Sequence, residues 1–208
     1  MTKDLIIVGA SGFGHEIAWV AKTAGFNVLG FLDDNAAGEH ILGKVASWQA
    51  FREKLFFIAI GNPRIRKKVF KNLVSGGEIK FATIISPNTI IAPGSKIGAG
   101  SVVMPGAIIS VNSCIGDQVI INLSASIGHD VTVGNFVSIN PQAAISGKVT
   151  IEEGAEIGTN STVVQNITIK KGALVTAGAL AHAEVLDNQV LVGNPARAMR
   201  KLDEWNEY

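Results

Sequence analysis

From residue 85 to residue 180 the apolar positions of this chain fall on a fixed beat. Every sixth residue from Ile85 to Val175 is isoleucine or valine, through Ile91, Ile97, Val103 and onward, with no slip of register. Four places after each stands a small or β-branched residue, among them Ser101, Ala107, Val119, Ala125 and Ala179. A period of six suits neither a 3.6-residue helix nor strands that turn at irregular intervals. It suits a hexapeptide-repeat β-helix, a coil of short flat strands that buries one aliphatic side chain per side. With three sides the coil is a triangular prism, and residues i and i+18 stack one strand spacing apart, about 4.8 Å. Isoleucine and valine fit both the space and the extended backbone. Burying each is worth roughly 1.5–3 kcal/mol, a large gross gain before conformational entropy is subtracted. Ordinary strands in a sandwich would turn every ~8–12 residues and lose this register.

Before the repeats the pattern is different. Residues 5–8 are a continuous apolar run, as in a buried parallel strand, followed by the glycine loop 9–14 (Gly9, Gly12 and Gly14) and a helical stretch from His15 to about Ala24. A second strand, 28–32, ends in Asp33 and Asp34, and a short helix is expected around 47–54. A third strand, 56–60, leads into Gly61, Asn62 and Pro63, which open a helix to about Val74 with Arg64, Arg66, Lys67 and Lys68 in its early turns. Residues 79–83 are available as a fourth strand. This is a small parallel α/β domain of Rossmann-like type. The chain thus divides into an α/β domain, residues 1–83, and an all-β helix domain, residues 84–208. Its last segment, about 187–208, is expected to cap the final coil, with the α/β domain capping the other end.

Composition narrows the class. A length of 208 residues allows one or two domains, and 47% hydrophobic with only 6% aromatic residues suits a solenoid of Ile, Val and Ala. A formal charge of +1 gives no long-range attraction to nucleic acid or to an acidic membrane. One cysteine, Cys114, forms no intramolecular disulfide and fits a reducing cytoplasm; at the last place of its hexad it reads as a small packing residue rather than a reactive thiol. Met1, Thr2, Lys3 and Asp4 lead straight into a strand, so no signal peptide is expected. No apolar run reaches the roughly 18 residues of a membrane span. No membrane insertion and a cytoplasmic location follow as expectations.

Candidate chemistry sits in two places. In open α/β sheets ligands bind at the carboxyl edge of the strands, where the glycine loop, Asp33 with Asp34, and Gly61 with Asn62 converge. Glycines permit close backbone approach, and the helix after them favours anions. The loop spacing is G-x-x-G-x-G, not the dinucleotide fingerprint, and alone it equally describes a tight turn without a ligand. Three converging loops favour a nucleotide site, with the base or ribose near Asp33 or Asp34 and phosphates near Ser11, Gly12 and Phe13 or Arg66. The second place is His129, at the third position of its hexad and therefore outside the prism near a corner. The adjacent Asp130 can hold one ring nitrogen as donor and leave the other to accept a proton. One coil above, at 129+18, is Gly147, whose bare N–H would suit the oxyanion of a tetrahedral intermediate. Thr159 under Ala177 forms another column of small residues that could line a groove.

Together the glycine loop, Asp33 and Asp34, residues 58–62, the hexads, Ile121 with Asn122, the run Gly128, His129, Asp130, and residues 192–196 resemble one family. It is the bacterial sugar O-/N-acyltransferases, related to sialic-acid O-acetyltransferase and to the N-acetyltransferases of nucleotide-linked 4-amino sugars. The resemblance covers essentially the whole chain. It implies a left-handed β-helix, a homotrimer with active sites between chains, and acetyl-CoA as a co-substrate, with no prosthetic group and no metal. On that resemblance His129 is the general base and Asp130 its orienting partner. Ser138, Gly147, Thr159, Ala177 and Gly178 contact acetyl-CoA. Ser11, Gly12, Phe13, Asp33, Asp34, Gly61, Asn62 and Arg66 contact the sugar nucleotide, with Asn122 near the acceptor. Two departures stand out. Ser138 occupies the place where many relatives carry a second histidine, and Phe13 followed by His15 replaces a histidine inside the glycine loop.

The implied reaction is direct acetyl transfer to the 4-amino group of a UDP-linked amino-dideoxy sugar. Acetylation of a sialic-acid hydroxyl, or of a GDP-linked amino sugar such as GDP-perosamine, is the alternative within acyl transfer. A zinc hydratase on the same β-helix would need three histidines per site, whereas only His129 and the peripheral His182 lie near the prism. A dinucleotide oxidoreductase would need NAD(P)H at the glycine loop, and a non-catalytic scaffold or sensor would have no use for His129.

Overall fold

The computed structural model describes residues 3–208; Met1 and Thr2, expected to lead into the first strand, lie outside the described residues. The amino-terminal domain is a five-stranded, wholly parallel sheet of β1 (Lys3–Val8), β2 (Phe26–Leu32), β3 (Ile41–Gly43), β4 (Leu55–Ile58) and β5 (Lys80–Phe81), in the order β3-β2-β1-β4-β5. Helix α1 (Gly12–Thr23) follows β1 and helix α2 (Pro63–Ser75) follows β4. β3 has no counterpart in the sequence pattern, because three residues beside a polar loop carry no periodicity. The helix expected around 47–54 is a 3-10 turn at Val45–Phe51, packed through the buried Trp48. α1 starts three residues earlier than predicted, with Ser11 as its N-cap. Gly14 inside its first turn does not break the helix. It lets the helix touch the strand end, where a Cβ would lie only 2.2 Å from the Gly9 carbonyl oxygen.

From Ile84 the chain winds as a left-handed parallel β-helix of two-residue strands on three faces. The first face carries Ile84–Ile85, Val102–Val103, Ile120–Ile121, Ser138–Ile139, Glu156–Ile157 and Leu174–Val175. The second runs from Ile90–Ile91 through Ser126–Ile127 and Ala144–Ile145 to Leu180–Ala181, and the third from Lys96–Ile97 through Thr132–Val133 to Thr168–Ile169. Pairing is in strict i, i+18 register, as in Ile109 with Ile127 and Ile127 with Ile145. The period alone required that stacking. What it did not reveal is how each edge turns. From Ile91 onward the residue three places after each inward aliphatic has a positive φ, including Asn112, Gln118, Asp130, Phe136 and Lys148 at 57–58°. This left-handed backbone favours glycine and asparagine. Phe136 tolerates it because its ring is buried between Phe70 and Trp205, with centroids 5.2 and 6.5 Å away.

Two expectations about the ends change. The α/β domain does not cap the prism; it packs on its flank. The outward residues of the first three rungs on the first face, Ile84, Val102 and Ile120, are buried in one cluster with Ile7, Ile17 and Phe57. Ile85, which points inward at the first rung, keeps 39% of its surface exposed, so that end is not closed by the domain. The carboxyl-terminal segment is more than a cap. Gln189–Val192 adds a parallel rung beside Leu174–Val175, and Arg197–Lys201 returns antiparallel to it. Trp205 then buries itself against Gly154 and Gly172, under Arg64 and Lys67 of α2. The tail therefore straps the prism to the α/β domain. Cys114 also differs from expectation: the last place of a hexad faces outward, and the thiol is exposed on the third face between Lys96 and Thr132.

Among the described residues no helix is long and apolar enough to cross a membrane. The prism core is continuous, and Ile139, fully buried between Ile121 and Ile157, is typical of it. Ile139→Ala is expected to destabilise the protein by about 2–5 kcal/mol through lost transfer energy and the cavity left behind, measurable as a lower urea midpoint.

Candidate functional site

His129 and Asp130 lie on the edge between the second and third faces, in the turn that follows Ser126–Ile127. The left-handed φ of Asp130, 57°, brings the two neighbouring side chains together. His129 Nδ1 is 2.8 Å from Asp130 Oδ2. An ionised carboxylate only accepts, so in the neutral imidazole Nδ1 carries the hydrogen and Nε2 keeps its lone pair. The Asp130 carboxyl is held below its ordinary range by the bond with His129 first, then by the Asn112 amide, 3.4 Å from Oδ1. Sequence reasoning missed Asn112, although it stands one coil below Asp130 and the period points to it.

Nε2 faces Gly147. A Cβ on Gly147 would lie 2.5 Å from Nε2 and 2.7 Å from Cε1, so the ring fills the space a side chain would need. Gly128, the residue before His129, is crowded in the same way: a Cβ there would lie 2.7 Å from the Gly147 nitrogen. The Gly147 carbonyl accepts the Asn166 N–H at 3.2 Å, whereas its own N–H has no partner among the described residues. A proton acceptor on an exposed ring and the unpaired N–H of half-buried Gly147 thus share one notch. That pairing can remove a proton from a nucleophile and stabilise an oxyanion.

The remaining predicted residues divide between two other places. Asn122, Thr159, Ala177 and Gly178 all lie on the edge between the first and second faces, at different heights. Within one chain they are separated from His129 and Gly147 by the width of the second face. Along that face the outward residues Ile90 and Ile108 are 64% and 44% exposed. The glycine-loop residues Ala10 and Phe13 belong to the same apolar cluster as Met104 and Leu123 of that first edge, so the α/β ligand edge and Asn122 share a side of the molecule.

At the α/β edge the loops are held by Asp33. Its Oδ2 accepts the Ala10 N–H at 2.8 Å, and Oδ1 accepts those of Asn35 and Ala36 at 2.8 and 2.9 Å. These bonds, that from Ala10 first, hold its carboxyl below the ordinary range. Asp34 accepts the Val45 N–H at 2.9 Å and is exposed. Ser11 caps α1 by position but not by a side-chain bond, and Gly12 and Gly61 each face open space. Asn62 is the N-cap of α2, its oxygen accepting the Arg64 and Ile65 N–H groups at 3.0 and 3.1 Å. A depressed carboxyl stabilises the fold above its unfolded pKa, about 3.9, and loses that contribution as pH falls through its lower folded value. Asp33→Asn is therefore expected to lower Tm at pH 7, with the difference from wild type shrinking as the pH approaches about 3.

Two expected ligand contacts are corrected. Arg66 cannot serve a phosphate, because it is 1% exposed and its donors are engaged by protein oxygens. Burial pushes its guanidinium down to about 9, which still leaves it charged at neutral pH. Ser138 is likewise 1% exposed, on the face covered by the α/β domain, and its hydroxyl donates to the Gly61 carbonyl at 2.7 Å. It does not face the His129 notch. The sequence signal existed: position 138 falls on the same face as the apolar Ile84, Val102 and Ile120. Among the described residues no group of three or more His, Cys, Asp or Glu side chains is arranged to hold a metal ion.

Comparison with known proteins bears on both domains. The family model of the PglD N-terminal domain matches residues 4–73. The acetyltransferase domain of PglB from Neisseria gonorrhoeae FA1090 is 31% identical, with 95% of this chain and 100% of that one covered and a TM-score of 0.90. That domain has also been solved in complex with acetyl coenzyme A. PerB from Caulobacter crescentus, in complex with CoA and GDP-perosamine, is 27% identical over 96% of this chain and 99% of that one, with a TM-score of 0.90. WeeI from Acinetobacter baumannii AYE is 29% identical over 95% and 100%, with a TM-score of 0.83.

Proposed function

Since this chain belongs to the bacterial sugar acyltransferase family and is an acyltransferase, we propose that it moves an acetyl group from acetyl-CoA to the 4-amino group of a UDP-linked amino-dideoxy sugar. The observation that carries the reading is the notch in which His129 Nε2 lies against Gly147. The neutral amine attacks the thioester carbonyl, a C–N bond forms, and Nε2 takes the proton. The Gly147 N–H donates to the oxyanion. As the intermediate collapses the C–S bond breaks, and the CoA thiolate recovers the proton to leave as the thiol. Asp130 keeps the imidazole in the tautomer that accepts at Nε2. No protein nucleophile enters. A cytoplasmic reaction suits these co-substrates.

The two separated edges support a homotrimer. One chain cannot bring His129 and Gly147 to the same acyl group as Asn122, Thr159, Ala177 and Gly178. Prisms packed side by side set the first edge of one copy against the second edge of the next, and such packing would cover the exposed Ile90 and Ile108. Acetyl-CoA then lies in the groove between copies. The sugar nucleotide lies at the α/β edge, over Ser11, Gly12, Phe13 and the Gly61–Asn62 loop. With both oxygens of Asp33 engaged, Asp34 is the carboxylate left to meet the ribose or base.

A GDP-linked amino sugar is the second reading, favoured by the PerB complex with GDP-perosamine. The test is release of free thiol from acetyl-CoA in the presence of UDP-, GDP- and CMP-linked amino sugars. Release with a UDP sugar supports the first reading, and release with only a GDP sugar the second. Release only with a hydroxyl acceptor such as sialic acid, or none at all, overturns both.

A further inference from the structure

Among the described residues Arg66 is the one charged side chain that is fully buried, and the acetyl-transfer steps make no use of it. It bridges two domains. On the α/β side Nη1 donates to the carbonyls of Ile60 and Gly61 at 2.6 and 2.9 Å. On the prism side Nε donates to the Gln118 carbonyl at 3.0 Å, and Nη2 to the Phe136 carbonyl at 2.8 Å and Ser138 Oγ at 3.0 Å. Ser138 closes the ring by donating its own hydrogen to Gly61 at 2.7 Å. Among the described residues no carboxylate bonds the guanidinium directly, so carbonyl dipoles compensate the buried charge. Only the planar fork of arginine meets oxygens on both domains at once.

The loop so held is the third of the three at the ligand edge. Gly61 has open space on its Cβ side, while its carbonyl is gripped from behind by Arg66 and Ser138. We propose that Arg66 and Ser138 are positioning residues for nucleotide binding: they fix the loop at Gly61 and Asn62 against the β-helix, so that the sugar nucleotide meets a pre-formed edge. This rests on the nucleotide reading of the α/β domain and extends it to two residues that never touch the ligand. Ordering the loop in advance removes a cost that binding would otherwise meet. Within one chain His129 and Gly147 lie on the edge opposite the first face, away from this joint.

Calorimetric titration of the full chain with UDP, GDP, CMP and acetyl-CoA tests this. Ser138→Ala, which removes two hydrogen bonds of the joint, is expected to weaken nucleotide binding about 3-fold, and Arg66→Lys, which breaks up the fork, about 10-fold, with acetyl-CoA affinity within about 2-fold of wild type. Kinetically the KM for the sugar nucleotide rises while kcat holds. Lys67→Ala is the control. It removes another contact between the domains, the 3.1 Å ion pair with Glu153, without touching the loop, and should leave nucleotide affinity unchanged. Unchanged nucleotide affinity in Ser138→Ala and Arg66→Lys overturns the inference, as does equal weakening by Lys67→Ala. If Arg66→Lys fails to fold, Ser138→Ala decides alone. A wild-type protein that binds none of the three nucleotides removes the nucleotide reading itself, and this inference with it. Nucleotide binding without acetyl transfer removes only the proposed reaction.

Discussion

His129→Ala is expected to lower kcat by about 10²–10⁴, the usual share of a general base, while acetyl-CoA affinity stays near wild type. The ring is half exposed on a turn and fills no space in the prism core, so its removal should leave Tm almost unchanged. Loss of activity with an intact fold therefore reports chemistry. Asp130→Asn should retain the turn but not a carboxylate acceptor for Nδ1–H, and so lose a share of the same factor. Near-wild-type turnover by His129→Ala would remove the residue from the mechanism.

Gly147→Ala is expected to cost about 10²-fold in kcat, comparable with displacing a catalytic base. The added methyl would stand 2.5 Å from Nε2, so the ring must swing away from its position over Asp130. The backbone of Gly147 lies outside the left-handed region, so alanine brings no conformational strain there. The N–H is retained, which isolates the ring's displacement from any loss of the oxyanion donor. In a His129→Ala background the second substitution should then add little, because the group it disturbs is already absent. Full additivity in that double variant, or an active Gly147→Ala, would show that the notch does not confine the imidazole.

How far the sequence could be read depended on what repeats. The eighteen-residue winding is legible because one aliphatic per side is a steric requirement, and the period alone places Gly147 over His129. The same arithmetic reaches further. It puts Asn112 beneath Asp130, Ser138 on the face of Ile84, Val102 and Ile120, and Thr159 and Ala177 on a different edge from Gly147. In the α/β domain the glycine loop and Asp33 were visible as turn chemistry. The bonds from Ala10, Asn35 and Ala36 that occupy Asp33 were not, since they depend on where two loops meet.

The prism, its register and the imidazole beneath a residue with no side chain are written in the repeat, because those follow from a period and from the size of the groups on it. How the folded surfaces meet is what makes the α/β domain lean on a flank, the tail strap the two domains together, and Arg66 face protein carbonyls instead of a phosphate. Docking of one surface on another depends on shape and on which polar groups find partners. Neither is carried by a local pattern, so a basic residue in the first turn of a helix looked like a ligand contact until the surface that buries it was in view.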